Sequence, residues 1–235
     1  YDSGSYASST TYVTGMAVEK ACTQLKEKLC TIAADILECE PEELRFEGGC
    51  VLQEGTGKKV SLQEIAVKSQ CSKCEAPEAT DMHSSPVYPP PFMVGMAEIE
   101  LDRETGVVEV LNYAAVVDCG IPINPALARV QVEGGIVQGI GHTLMEDVTR
   151  TATGRIRESS LFTYRLPTRL DTGRINVEFE NSYEPTGPFG AKSIGEIVIN
   201  TPAPAITQAI YRATGVWHRE LPILPEHILL AKPEE

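Results

Sequence analysis

The chain has 235 residues, 42% of them apolar, enough to bury a core in one large or two modest domains. Lys plus Arg number 20 against 33 Asp plus Glu, and the net charge of -13 repels a phosphate backbone and excludes nucleic-acid binding by bulk electrostatics. Apolar runs last only a few residues before a charge or proline intervenes, far short of the roughly 20 that cross a bilayer, so no membrane span is expected.

The chain opens on Tyr1 with no basic or apolar leader and reads as a fragment or a processed subunit. A polar run rich in Ser and Thr leads to apolar residues at Val13, Ala17, Ala21, Leu25, Leu29, Ile32 and Ile36, and these steps of four and three mark one helical stripe, ended by Pro41. Residues 44–52 predict a hairpin turning at Gly48 and Gly49. Ser61 with Glu64 three positions on is a capping box that opens a short helix to about Ser69. Residues 70–91 hold five prolines and no periodicity, which predicts a long loop or linker. Two β-branched runs, 92–101 and 107–118, flank turn residues 102–106 and predict a β-hairpin.

Asn124 and Pro125 start a helix whose apolar residues continue to Val148. A strand over 174–181 precedes an irregular Gly- and Pro-rich segment, 184–196. A last helix runs from Pro202, capped by Thr201 and stopped at Gly215. Helices and strands are interspersed without strict alternation, so the expected class is α+β, mixed helices with antiparallel or mixed sheets, in two subdomains, residues 1–80 and 81–235.

Seven cysteines, an odd number without framework spacing, fit a reducing, cytoplasmic setting. The close pair Cys71 and Cys74 lacks two further ligands at metal-site spacing, and His83, His142, His218 and His227 form no paired ligand pattern, so no metal ligands are expected here.

Three segments can carry chemistry. Gly134, Gly135, Gly139 and Gly141 each cost a helix roughly 1 kcal/mol relative to alanine, so either a neighbouring helix or a ligand must approach this backbone, with Gln138 the natural hydrogen-bonding side chain for a ligand. Residues 187–196 can form a glycine-built anion nest that delivers Glu196 beside Ile197, Val198 and Ile199. There Glu196 is either a general base or a first-turn residue matched to a helix dipole. The N-terminal serines and threonines suit a phosphate or pyrophosphate ahead of the first helix, or else form a solvated terminus.

Residues 6–15 (YASSTTYVTG), 117–125 (VDCGIPINP), 132–141 (VEGGIVQGIG) and 187–196 (GPFGAKSIGE), with 164–171 (YRLPTRLD), resemble in this order the C-terminal half of the molybdenum-binding subunit of the xanthine dehydrogenase and aldehyde oxidase family. The resemblance spans nearly the whole chain and implies a molybdopterin-binding domain of that type. It implies a molybdenum held by molybdopterin, in the plain or the cytosine dinucleotide form, contacted by Ala7, Ser8, Ser9, Thr10, Gln138, Gly139, Lys192 and Ser193. Glu196 matches the family's catalytic base, which serves the hydroxylation of an N-heterocyclic substrate with oxygen from water. Iron-sulfur clusters and FAD are expected on other chains or domains, because the C-x4-C-x2-C spacing is missing. The other half of the subunit, expected as a partner, supplies most of the substrate pocket, so little activity is expected of this chain alone. An aldehyde-oxidising member and a non-catalytic cofactor-binding scaffold are the alternative readings.

Overall fold

The computed structural model describes residues 4–71 and 76–231. Cys74, and with it the close cysteine pair, and the first three residues of the polar N-terminal run fall outside the described residues. The chain divides into two compact units, Thr11–Pro86 and Tyr1–Thr10 together with Val87–Glu235. Of the described residues, 4–10 thus group with the C-terminal unit. Ser8 makes that attachment, because its hydroxyl accepts the Glu196 N–H at 2.8 Å.

In the unit Thr11–Pro86, helix α1 (Gly15–Leu37) follows a π-helical turn, Thr10–Thr14. It stops before Pro41 because Glu38 takes the left-handed conformation, φ 54°, and donates its N–H to the Ala34 carbonyl. The stripe buries Leu29 with Ala33 against a three-stranded antiparallel sheet, β1 (Leu44–Glu47), β2 (Cys50–Gln53) and β3 (Lys59–Ser61). The hairpin turns at Gly48 and Gly49 as expected; β3 is an addition, a three-residue strand that runs straight into the capping box of α2 (Leu62–Cys71). In that box the Glu64 N–H donates to Ser61 Oγ at 3.2 Å and the Ser61 N–H to Glu64 Oε2 at 2.8 Å.

The proline-rich residues after α2 form a strap along α1. Lys28 Nζ reaches the Glu78 carbonyl, Gln24 Nε2 reaches Asp81, Lys20 Nζ meets His83 Nδ1 and the Tyr12 hydroxyl meets Ser85 Oγ. Positions 20, 24 and 28 are one helical turn apart, so one face of α1 holds an antiparallel extended segment.

The other unit is built on a sheet ordered β4-β5-β6. β4 (Phe92–Leu101) and β5 (Val108–Asp118) form the expected antiparallel hairpin, and β6 (Arg174–Phe179) lies parallel to β5. A parallel neighbour requires a crossover, and helix α3 (Pro125–Leu144) lies within it. Asn124 caps α3 by accepting the Leu127 N–H at 3.1 Å. The helix ends at Leu144 rather than Val148 because the Met145 and Glu146 N–H groups both turn back to the Gly141 carbonyl. The Glu146 carboxylate fills the space a Gly141 side chain would need. Helix α4 (Pro202–Thr214) ends on Gly215 at φ 77°, and a short α5 (Pro225–Leu230) follows. Val117, Tyr113 and Val177 of the sheet bury against Ile136 and Ile140 of α3 and Ile206 and Ile210 of α4. Among the described residues no helix is long and apolar enough to cross a membrane.

The α3 glycines serve different neighbours. A Cβ on Gly135 would lie 2.1 Å from Val198 Cγ2 and one on Gly139 2.5 Å from Pro202 Cγ, so these two positions let α3 touch the segment leading into α4. A Cβ on Gly134 would meet nothing within 4 Å. Gly135→Ala is therefore expected to lower stability by about 1–3 kcal/mol through overpacking. Gly134→Ala should leave it unchanged or raise it by up to about 1 kcal/mol. Urea-unfolding midpoints of the two variants check the contrast.

Candidate active site

Strand β5 ends on Asp118; Cys119 and Gly120 follow, and the Gly- and Pro-rich loop returns to grip this strand end. The Lys192 N–H donates to the Cys119 carbonyl at 2.7 Å and the Ile121 N–H to the Gly190 carbonyl at 2.8 Å. Gly120 sits at φ 69°, and a Cβ there would lie 2.3 Å from the Gly190 oxygen, so the approach requires glycine. Asp118 completes the grip: its carboxylate takes Lys192 Nζ at 2.7 Å, the Ser182 hydroxyl, and the Gly120 N–H at 3.1 Å. Burial pushes the Asp118 carboxyl up, yet the hydrogen bonds from Lys192, Ser182 and Gly120 outweigh it and hold it below the ordinary aspartate value.

Beyond this anchor the loop delivers Gly195 and Glu196 to the N-terminal turn. Residues 6–9 close a tight turn, the Ser9 N–H donating to the Tyr6 carbonyl at 3.0 Å, with both central residues left-handed, Ala7 at φ 48° and Ser8 at φ 55°. Such conformations are sparsely populated without glycine and concentrate at functional sites. The turn aims Ser8 Oγ at Glu196, accepting its backbone N–H at 2.8 Å and donating to Oε2 at 3.4 Å. From α3, Gln131 Nε2 donates to the Gly195 carbonyl at 3.1 Å.

Helix α3 and the end of the loop border a cavity of about 660 Å³ whose wall includes Val130, Gln131, Gly134 and Gln138 of α3, Glu196 of the loop and Asn200 just after it. Its volume falls in the range of small-molecule and cofactor sites, roughly 300–1,000 Å³. Three side-chain amides offer both donors and acceptors, and Gly134 leaves the helix backbone open, so the wall suits a polar ligand approaching α3. Glu196 is exposed and adds a carboxylate beside these amides.

Of the residues singled out in the sequence, Gln138 and Glu196 line this cavity and Ser8 reaches Glu196. Among the described residues, Ala7, Ser9, Thr10 and Ser193 lie off its wall; the Ser9 hydroxyl donates to Tyr6 and that of Thr10 pairs with Ser5. Gly139 is turned to Pro202, and Lys192 is held by Asp118. Gln131 and Asn200 were missed. Positions 131, 134 and 138 step by three and four beside the buried stripe 132, 136 and 140, so a polar and glycine face next to an apolar one was a usable signal for Gln131. Asn200 carried none.

A family model described as the molybdopterin cofactor-binding domain matches residues 1–173. Probable hypoxanthine oxidase XdhD of Escherichia coli (strain K12) is 34% identical over 98% of this chain and 24% of its own length. The gamma subunit of the 6-hydroxypseudooxynicotine dehydrogenase complex of Paenarthrobacter nicotinovorans is 33% identical over 96% of this chain and 30% of its own. Among solved structures, quinoline 2-oxidoreductase from Pseudomonas putida 86 superposes with a TM-score of 0.89 at 27% identity, over 99% of this chain and 31% of that one. A Cu,Mo-CO dehydrogenase does so with a TM-score of 0.86 at 25% identity, over 98% of this chain and 30% of that one. The chain therefore spans about a quarter to a third of the length of these relatives.

Because the folded Asp118 value is lowered, its stabilisation is present above the ordinary aspartate value, about 3.9, and is lost as pH falls through the lower folded value. Asp118→Asn is expected to lower the urea midpoint at pH 7, with the gap to the parent narrowing as pH falls below about 4. Urea titrations across that range check it; a gap constant down to the acid limit would show that the charge of Asp118 contributes nothing.

Proposed function

This chain belongs to the molybdopterin cofactor-binding family, and we propose that it is the part of a molybdenum hydroxylase that supplies the catalytic base, Glu196. The observation that carries the reading is the meeting of Glu196 with the α3 amides on one cavity wall, held there by Ser8 from the far end of the chain. The donor set fits a pterin: Gln138 and Asn200 offer both donors and acceptors, and Gly134 admits its edge. Ser8 reaches the wall through Glu196, and Ala7, Ser9, Thr10 and Ser193, which lie off it, are assigned to parts of the cofactor that extend beyond this cavity. Gly139 and Lys192 act one step back, one packing α3 and the other anchoring the loop. When bound, a molybdenum-loaded molybdopterin supplies Lewis acidity and takes up the two electrons released as a substrate carbon is hydroxylated with oxygen from water.

Glu196 accepts the proton at its carboxylate during that step, and its exposure on the wall lets the proton pass on to solvent. The amide of Gln138 orients the bound ring. The substrate is an N-heterocycle, a class supported by the hypoxanthine and quinoline named for the similar proteins. An aldehyde is the second reading, supported by the likeness to an aldehyde oxidoreductase of Desulfovibrio gigas. The remaining subunit half and chains bearing iron-sulfur clusters and FAD complete the enzyme, which works in the cytoplasm and is inactive without them.

In the assembled enzyme, Glu196→Gln is expected to cut kcat for hypoxanthine, with a dye as electron acceptor, by about 10²–10⁴-fold while molybdenum content is retained. Near-normal turnover at full molybdenum content would refute the base. Oxidation of benzaldehyde without oxidation of hypoxanthine would select the aldehyde reading.

A further inference from the structure

The Gly195–Glu196 peptide is held from both sides. Its carbonyl accepts from Gln131 Nε2 at 3.1 Å, and its N–H donates to Ser8 Oγ at 2.8 Å. A peptide group is planar, so two hydrogen bonds on its opposite edges together oppose its rotation about the line joining its two Cα atoms. That rotation sets where the Glu196 side chain leaves the backbone. Three stretches remote in sequence, the N-terminal turn, α3 and the loop, therefore converge on one peptide plane.

The Ser8 hydroxyl acts twice. Its oxygen receives the Glu196 backbone N–H, and its single hydrogen points to Glu196 Oε2 at 3.4 Å, closing a ring through the glutamate's own backbone and side chain. Gly195 is part of the same device: a Cβ there would lie 2.7 Å from Ser8 Oγ and 3.2 Å from Ser8 Cβ, so any side chain would push the serine away. The left-handed Ala7 and Ser8 bring the hydroxyl to this point, which gives the unfavourable turn a local purpose.

We infer that Ser8 and Gln131 are positioning residues that clamp the Gly195–Glu196 peptide and so aim the Glu196 carboxylate along the cavity wall. Ser8 then acts through the glutamate, where the family resemblance implies a cofactor contact. The importance of the clamp for turnover rests on the proposed role of Glu196; the clamp itself does not.

The test uses the assembled enzyme with Ser8→Ala, Gln131→Met and the double variant, and Ser8→Gly as a form that tolerates the left-handed backbone. Each is expected to speed amide-hydrogen exchange in peptides covering residues 194–198 by about fivefold or more, with unchanged melting temperature and molybdenum content. Each single variant should lower kcat for hypoxanthine by about tenfold with KM altered less than about twofold, and the double should lose less than the product of the two, because either break frees the same plane. Unchanged exchange over 194–198 would overturn the clamp. So would a loss of molybdenum and pterin that tracks the loss of activity, which would make Ser8 a cofactor ligand. Normal turnover in Glu196→Gln alongside faster exchange in Ser8→Ala would remove the base and leave the clamp standing.

Discussion

Helix α3 and the segment after Glu196 touch through glycine, and the site exists because of that approach. With no side chain at Gly135 or Gly139, Val198 and Pro202 seat directly on the helix backbone. The neighbouring face of the helix, Gln131, Gly134 and Gln138, is thereby drawn to the level of Glu196. Any larger residue at 135 would move the helix away and open the cavity, so one packing constraint serves both the core and the chemistry. The sum of four glycine penalties in a helix, roughly 4 kcal/mol, is offset mainly by close packing on the buried face, while Gly134 meets no neighbour and stays open to the cavity.

The charge balance of the site differs from that of many sites that receive anionic groups. The chain carries a net -13, and the cation closest in sequence to Glu196, Lys192, is neutralised by Asp118 at 2.7 Å. Amides, open helix backbone and the Glu196 carboxylate make up the polar part of the cavity, with the Ser8 hydroxyl at its border. A polar cofactor would be received here through directional hydrogen bonds, which fix orientation, more than through bulk attraction. The Asp118–Lys192 pair does mechanical work instead, tying the start of the glutamate loop to the end of β5 so that the few residues up to Glu196 emerge from a fixed point.

Much of the architecture was legible along the chain because it follows from local chemistry. The stripe of α1, the Ser61–Glu64 box, the Asn124–Pro125 start and the Gly215 stop all involve residues within a few positions of one another. What went unread was short or dependent on distant partners. β3 is three residues long and shares Ser61 with a helix cap, and α5 is six residues long, so neither builds a periodic signal. The proline-rich stretch reads as a linker because its order comes from α1 side chains more than fifty positions earlier. The end of α3 was overestimated because apolar residues continue past the point where Glu146 folds back over Gly141.

The sequence by itself determined the α+β class, the two glycine-rich segments, the carboxylate that ends the second of them and the family, since these rest on residue types in a set order. The tertiary structure alone decided which glycine faces packing and which faces the cavity, that Lys192 serves Asp118, and that Ser8 and Gln131 grip one peptide. Ser8 and Glu196 are 188 positions apart, and no spacing rule reaches that far. Hydrogen bonds between such residues form only after the sheet, the crossover helix and the loop have been brought together by burial of a shared core, whose geometry depends on every side chain in it at once.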